Sequence, residues 1–261
     1  MEKERDYDLF LKAAEAVGKT GRILLDSGEN LRIGEKGKTD FVTPVDLEVQ
    51  EELCRRLREL APDYEFMGEE KENRNLDLSG KLWILDPVDG TTNLIHQFQH
   101  STVSLAMADR GNVMGGIVFQ PFSGEMFLGF QGKGAWCGRK PIHVSRNSVL
   151  RDSLFSVGTN PGYRQHADRS FSIMRSFYDC CHDIRRIGAA SLEICYVAAG
   201  RLEGYVEYGL KPWDYAAGAR ILEEAGGLCT DCSGRIPVCT EPADILATNK
   251  LVHSEALSLL L

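Results

Sequence analysis

The chain reads as an α+β half followed by an α/β half, packed as two lobes of one unit. Three observations predict this. Two amphipathic helical stretches open the chain, short apolar segments separated by glycine turns follow, and after about residue 150 strand-like and helix-like stretches alternate. The division falls at 1–148 and 149–261, with an antiparallel sheet expected in the first lobe. No internal repeat, low-complexity tract or long linker interrupts it.

Taken in order, residues 7–25 carry Phe10, Ala14, Val17, Gly21 and Leu24/Leu25 at steps of three and four, the spacing of a helix with one apolar face. The polar Gly/Lys-rich stretch Gly34 to Asp40 reads as an exposed loop. Thr43-Pro44-Val45-Asp46 starts a second helix: Thr43 can cap, Pro44 suits the first turn, and Asp46 sits where a capping-box acid belongs. Val49, Leu53, Leu57 and Leu60 mark its buried face, and Ala61-Pro62 ends it. Tyr64–Met67 and Leu82–Leu85 are short apolar runs that lead straight into acids. Segments 101–108, 113–120, 125–130 and 141–145 read as strands of a meander, with Gly111-Asn112, Ser123-Gly124 and Gly138 at the turns. The second half gives strand 153–158, helix 166–180, strand 183–187, helix 190–200, strand 204–208, helix 213–225, strands 227–231 and 244–247, and helix 250–260.

Composition narrows the function classes. The 261 residues are 43% hydrophobic and 26% charged, an ordinary globular balance. A formal charge of −8 disfavours nucleic acid and anionic membranes as partners. No apolar run reaches the ~18 residues of a membrane helix. The opening Met1–Asp6 has no apolar signal-peptide core, so a soluble cytoplasmic protein is expected. The eight cysteines do not suggest a disulfide framework in a chain of this length. Cys229-x-x-Cys232, with Cys239 beyond, lacks the second pair or histidines of a zinc site and reads as small apolar packing. No nucleotide-binding glycine loop, serine-hydrolase elbow or H-E-x-x-H is present, and the six histidines, His96, His100 and His143 among them, are scattered without metal-ligand spacing.

One acid-rich run stands out. An apolar strand delivers Asp86 at its end, Pro87 stiffens the turn, and Asp89 returns to the same rim in Asp86-Pro87-Val88-Asp89-Gly90-Thr91-Thr92-Asn93. Gly90 permits an unusual dihedral or a close ligand approach, and Thr91 to Asn93 offer hydroxyls and N–H groups at a helix start, where anions are favoured. Two carboxylates aimed at one point repel unless they share a proton or a cation sits between them. An all-oxygen donor set selects Mg²⁺ or Mn²⁺ over zinc, and the spacing does not fit a calcium EF-hand. The structural alternative is an Asp-rich turn in which Asp89 or Thr92 caps a helix. Gly68-Glu69-Glu70 sets another acid at a strand end, and Pro212-Trp213-Asp214 sets one just before a small-residue helix. Singly these read as a solvated acid and an N-cap; converging on one crevice, they would make a multi-metal carboxylate site suited to phosphate esters.

Gly68-Glu69-Glu70, the run Asp86–Thr92 and Trp213-Asp214-Tyr215-Ala216-Ala217-Gly218 resemble the inositol monophosphatase family of Mg²⁺-dependent, lithium-sensitive phosphatases. Val42-Thr43-x-x-Asp46 and Arg186-x-Gly188-Ala189-Ala190 extend the likeness, in order, over nearly the whole chain. The resemblance implies a layered αβαβα sandwich of the inositol monophosphatase and fructose-bisphosphatase type, working as a homodimer. It implies that Glu69, Asp86 and the Val88 carbonyl hold a first ion, that Asp86, Asp89 and Asp214 hold a second, and that Glu69 supports a weaker third through water. Thr91, paired with Asp46, would orient and deprotonate the attacking water. Backbone around Gly90 and Thr91 would hold the phosphate, while Asp89, Gly188, Ala189, Ala190 and Glu207 would bind the alcohol.

The implied reaction is hydrolysis of myo-inositol 1-phosphate, or a related polyol monophosphate, by metal-activated water. The same chemistry on fructose 1,6-bisphosphate, histidinol phosphate or 3′-phosphoadenosine nucleotides is the near alternative. A non-catalytic partner-binding protein on the same fold is the distant one. Glu207 lies in Tyr205-Val206-Glu207-Tyr208, where alternation is read as setting it opposite its tyrosines, with an exposed strand acid as the other reading. Lys211 occupies a position where relatives vary, and Arg185-Arg186 fits either a solvated pair or a contribution to the dimer or the site.

Overall fold

The computed structural model describes residues 2–26, 34–35, 41–71, 73 and 76–260. Two helices come first, α1 (Glu2–Asp26) and α2 (Pro44–Leu60), with a short antiparallel pair, β1 (Gly34–Glu35) and β2 (Phe41–Val42), between them. The rest of the stretch read as an exposed loop, 36–40, lies outside the described residues. α2 starts where its cap chemistry places it: the Asp46 carboxylate accepts from the Thr43 N–H at 2.8 Å and from its hydroxyl at 2.6 Å.

A seven-stranded sheet runs in sequence order through β3 (Glu65–Gly68), β4 (Lys81–Asp89), β5 (Thr102–Asp109), β6 (Asn112–Gln120), β7 (Glu125–Phe130), β8 (Gly134–Cys137) and β9 (Lys140–Ile142). The short helix α3 (Thr91–Ile95) leaves the end of β4. From β4 onward every pairing is antiparallel, and β3 joins β4 in parallel. The expected strand 141–145 is in fact 140–142, and its partner β8 was not anticipated, because Gly134 and the polar turn before it hide the alternation of four residues.

The second sheet has the order β11 (Asp183–Arg185), β10 (Leu154–Val157), β12 (Gly204–Leu210), β14 (Ala243–Thr248), β13 (Leu228–Asp231). Its helices are α4 (Ala167–Cys180), α5 (Ala190–Ala198), α6 (Pro212–Glu224) and α7 (His253–Ser258), the last shorter than the expected 250–260. Parallel pairing of β10 with β11 and β12 reflects the helical crossovers between them.

Three apolar clusters stack these elements into five layers. α1 and α2 cover one face of the large sheet around Phe10, Leu53, Trp83 and Leu105. α5 and α6 fill the space between the sheets with Leu192, Ile194, Ala217 and Ile221. α4 and α7 close the outer face of the small sheet over Phe155, Phe177 and Leu246. The result is the αβαβα sandwich, and each large side chain removed from water stabilises it by about 2–3 kcal/mol. The small residues of α6 let it lie directly on the large sheet: a Cβ at Gly116 of β6 would stand 2.1 Å from the Ala217 carbonyl oxygen. This contact fixes how α6, and with it Asp214, sits against β4.

All eight cysteines are free. Cys229 lies on β13 and Cys232 just past its end, both half-buried against apolar neighbours.

Candidate active site

The site is built on a defect in β4. Asp86 pairs with Ser104 and Asp89 with Thr102, so three steps on one strand oppose two on the other. Side chains alternate along a regular strand, and residues three apart would point to opposite faces. The bulge at Pro87-Val88 corrects the count and brings both aspartates to one face, and proline is tolerated there because a bulge needs no ladder N–H. The Asp86 carboxylate accepts from the Val88 N–H at 3.0 Å, which fixes the bulge; β4 therefore runs on to Asp89 and does not end at Asp86 as expected. Gly90 follows with φ of +86°, where a Cβ would meet the His100 and Gly188 carbonyls at 3.1 and 3.2 Å. Gly90, not Asp89 or Thr92, is therefore the N-cap of α3.

The Asp46 carboxylate reaches this turn from the first turn of α2. Thr91 Oγ1 shares its single proton between Asp46 Oδ1 at 3.1 Å and the Val88 carbonyl at 3.0 Å. Both roles foreseen for Asp46 are geometrically compatible: one oxygen caps the helix, the other faces Thr91.

Asp214 lies within the first turn of α6 rather than before it. The N-cap is Lys211, whose N–H donates to Asp214 at 2.7 Å. Asp89 accepts from the Ala190 N–H at 3.1 Å and from the N–H and hydroxyl of Ser191 at 2.7 and 2.6 Å, which ties β4 to the start of α5.

A crevice of about 360 Å³ opens where the two sheets' ends meet. Glu69, Asp89, Gly90, Thr91, Gly188, Ala190, Glu207 and Asp214 all line it. Asp46, Asp86 and Val88 are buried behind that lining, and Ala189 points into the core as the N-cap of α5. Asn160, Arg186 and Lys211 complete the wall. Arg186 donates to Thr159 Oγ1 at 3.2 Å, whereas Arg185 is ion-paired with Asp183 outside the crevice.

Glu207 is buried, which excludes the exposed-acid reading. It accepts from the Asn160 N–H at 2.7 Å and from the Tyr205 hydroxyl. Tyr205, two residues away, thus shares its side of β12; only Tyr208 faces the other way, into the outer cluster.

The acids repel one another. Burial pushes Asp86 well above the usual carboxylate range, and the four neighbours that push it furthest are all acids: Glu69, Asp89, Asp214 and Asp46. Asp214 is likewise raised by burial, against the pull of the Lys211 N–H, and further by Asp89, Glu69 and Glu207. Burial raises Asp89 and Asp46 too, offset by the hydrogen bonds from Ser191 and Ala190 and from Thr43 and Thr91. Such a group retains either protons or a cation. Carboxylates and one carbonyl are hard oxygen donors, so the donor set fits Mg²⁺ or Mn²⁺. Among the described residues no three such side chains form a ready-made metal cage. The fit therefore lies in the chemistry and mutual field of the acids, which share one crevice.

Three polar residues of this region escaped the sequence reading. Asn160 carries a turn signal in Asn160-Pro161-Gly162 and indeed has a positive φ of 35°. Ser191 gave no signal. Glu193 gave one that was overlooked, a lone acid in the apolar helix Ala190–Ala198.

The layered sandwich and its carboxylate crevice define a class, and sequence comparison agrees: the family described as the inositol monophosphatase family matches residues 6–260. The chain belongs to that family of phosphatases. It is 36% identical over 223 residues to the inositol-1-monophosphatase of Rhizobium meliloti, covering 84% of each chain. It is 34% identical over 230 residues to the Nus factor SuhB of Vibrio cholerae, covering 87% of this chain and 85% of that one. The crystal structure of the extragenic suppressor protein suhB from Bartonella henselae superposes with a TM-score of 0.88 at 30% identity, covering 94% of this chain and 95% of that one.

Proposed function

We propose that the chain is a Mg²⁺-dependent phosphomonoesterase that hydrolyses myo-inositol 1-phosphate and related polyol monophosphates to the alcohol and phosphate. The observation that carries this reading is the convergence of Glu69, Asp89 and Asp214 on one crevice with Asp86 buried behind them, its strongest neighbours all acids. Likeness to a protein named inositol-1-monophosphatase supports the substrate.

Glu69, Asp86, the Val88 carbonyl, Asp89 and Asp214 would hold two Mg²⁺ ions, with a third at Glu69; Mn²⁺ is the substitute. Bound there, the metal neutralises phosphate charge and lowers the pKa of water. The protein's own part is a proton path. Thr91 Oγ1 takes the attacking water's proton while its own passes to Asp46 Oδ1, 3.1 Å away. Burial of Asp46 raises its affinity for that proton. The N–H groups of Gly90 and Thr91 hold phosphate oxygens at the start of α3. Asp89, Glu207, Gly188 and Ala190 face the alcohol.

The test is phosphate release from a panel of myo-inositol 1-phosphate, fructose 1,6-bisphosphate, histidinol phosphate and 3′-phosphoadenosine 5′-phosphate, with and without Mg²⁺. Inositol 1-phosphate should be turned over best, and activity confined to histidinol phosphate overturns the substrate assignment. The name Nus factor on the Vibrio relative motivates a second reading, a partner-binding protein. Under it Asp89→Asn leaves partner binding intact; under the first it removes turnover.

A further inference from the structure

The backbone of Ile187-Gly188 is gripped from two sides by residues to which the reaction assigns no part. The Asn93 side-chain amide, on α3, donates to the carbonyls of Ile187 and Gly188 at 3.0 and 3.3 Å, and to that of His100 at 3.0 Å. The Glu193 carboxylate, on α5, accepts from the N–H groups of the same two residues at 3.0 and 3.2 Å. Its Oε1 also accepts from Ser156 Oγ at 2.5 Å, whose hydroxyl contacts the Arg185 carbonyl at 3.1 Å. Asn93 and Glu193 are both buried, at 6% and 0% exposure, so neither is held loosely. Two successive peptides thus have both donors and both acceptors engaged by side chains. Buried backbone must pair its polar groups, and here buried side chains from two different helices do so, which fixes this segment to both α3 and α5.

What this segment carries lies beside it. Gly188 has φ of +88°, and a Cβ there would fall 2.3 Å from a guanidinium nitrogen of Arg186. Arg186 therefore lies folded against Gly188, and its charge acts on Glu207 across the crevice. Shifting the 187–188 peptides would move Arg186 and Gly188 together, part of the wall that faces the alcohol half of the substrate, while Ala190 stays tied to Asp89.

We propose that Asn93 and Glu193 are positioning residues that clamp the Ile187–Gly188 peptides and so set the alcohol-selecting wall of the crevice relative to the Asp86–Thr91 turn. This rests on the reading of the crevice as a phosphomonoesterase site. A misplaced wall weakens recognition of the alcohol and leaves the acids and the Thr91–Asp46 pair in place. The clamp should therefore be felt in KM far more than in kcat.

The test uses full-length Glu193→Gln and, independently, Asn93→Leu, which is close in size and cannot donate. Kinetics with myo-inositol 1-phosphate and Mg²⁺ should show KM raised about tenfold or more and kcat within about threefold. Hydrogen exchange of the intact proteins should show the peptide spanning 186–190 exchanging at least about tenfold faster, with α4 and α7 unchanged. Unchanged exchange at 186–190 overturns the clamp, and faster exchange with unchanged KM overturns its role in selection. A fall in kcat with constant KM overturns it as well. If one variant does not fold, the other carries the same comparison. If the wild type hydrolyses none of the esters, the phosphomonoesterase reading fails, and the exchange data alone decide whether the clamp exists.

Discussion

Ser191 donates twice to one oxygen of Asp89, its N–H at 2.7 Å and its hydroxyl at 2.6 Å. The contact spans 102 residues of chain and joins the bulge of the large sheet to the first turn of α5 between the sheets. Asp89 also lines the crevice, which makes it the most informative residue to change.

Asp89→Asn should lower kcat/KM for myo-inositol 1-phosphate by about 100-fold or more, since a charge and an acceptor are lost where a cation is expected. An amide nitrogen turned toward the Ser191 N–H also costs about 1–3 kcal/mol of stability. Phosphate release and urea unfolding measure the two effects separately. Full Mg²⁺-dependent activity in this variant would remove Asp89 from the metal site.

Thr91→Ala deletes the hydroxyl between Asp46 and the Val88 carbonyl. Turnover should fall by about 10²–10⁴, the usual worth of a positioned proton acceptor, while Thr91→Ser keeps most of it. Single-turnover phosphate release compares the three proteins.

Adding Mg²⁺ should raise the thermal midpoint and chelation should lower it, because a cation relieves repulsion among Glu69, Asp86, Asp89 and Asp214 only when they are folded together. At a hundred times the dissociation constant the gain is about 2.7 kcal/mol. Calorimetry with Mg²⁺ and with chelator checks this. Asp214→Asn should lose most of the difference.

Glu193 is wholly buried, and burial, with Glu207 nearby, pushes its carboxyl up to about 7 from 4.5. The folded state therefore binds this proton more tightly than the unfolded chain. Its stabilising contribution is complete below about pH 4.5 and disappears as pH rises through about 7, a span of about 3 kcal/mol. Denaturant unfolding from pH 5 to 8 should show wild-type stability falling relative to Glu193→Gln. Parallel curves for the two proteins would count against a proton held at this position.

Gly116→Ala puts a methyl 2.1 Å from the Ala217 carbonyl oxygen, where backbone must give way. Destabilisation of about 3 kcal/mol is expected, at the upper end of ordinary overpacking. Thermal unfolding reports it, and because α6 carries Asp214, Mg²⁺ affinity should weaken with it.

Signals confined to a few neighbouring residues were legible in the chain itself. Thr43-Pro44-Val45-Asp46 announced its helix because a cap is made within one turn. The run from Asp86 to Gly90 announced two acids on one rim, since proline fixes its own φ and glycine admits a positive one, but the turn expected at Pro87 is a bulge and β4 runs on to Asp89. The family resemblance extended this to the order of layers. Strand β8 was missed because four residues carry too little alternation, and the side of Glu207 was misjudged although period-two geometry places Tyr205 beside it. What packing alone settled is the meeting of distant groups: Glu69 and Asp214 at one crevice with Asp86 buried behind it, Ser191 on Asp89, and Asn93 and Glu193 on the same two peptides. A carboxylate in a sequence has no address. It acquires one only when sheets and helices bury enough apolar surface to hold it against its own charge.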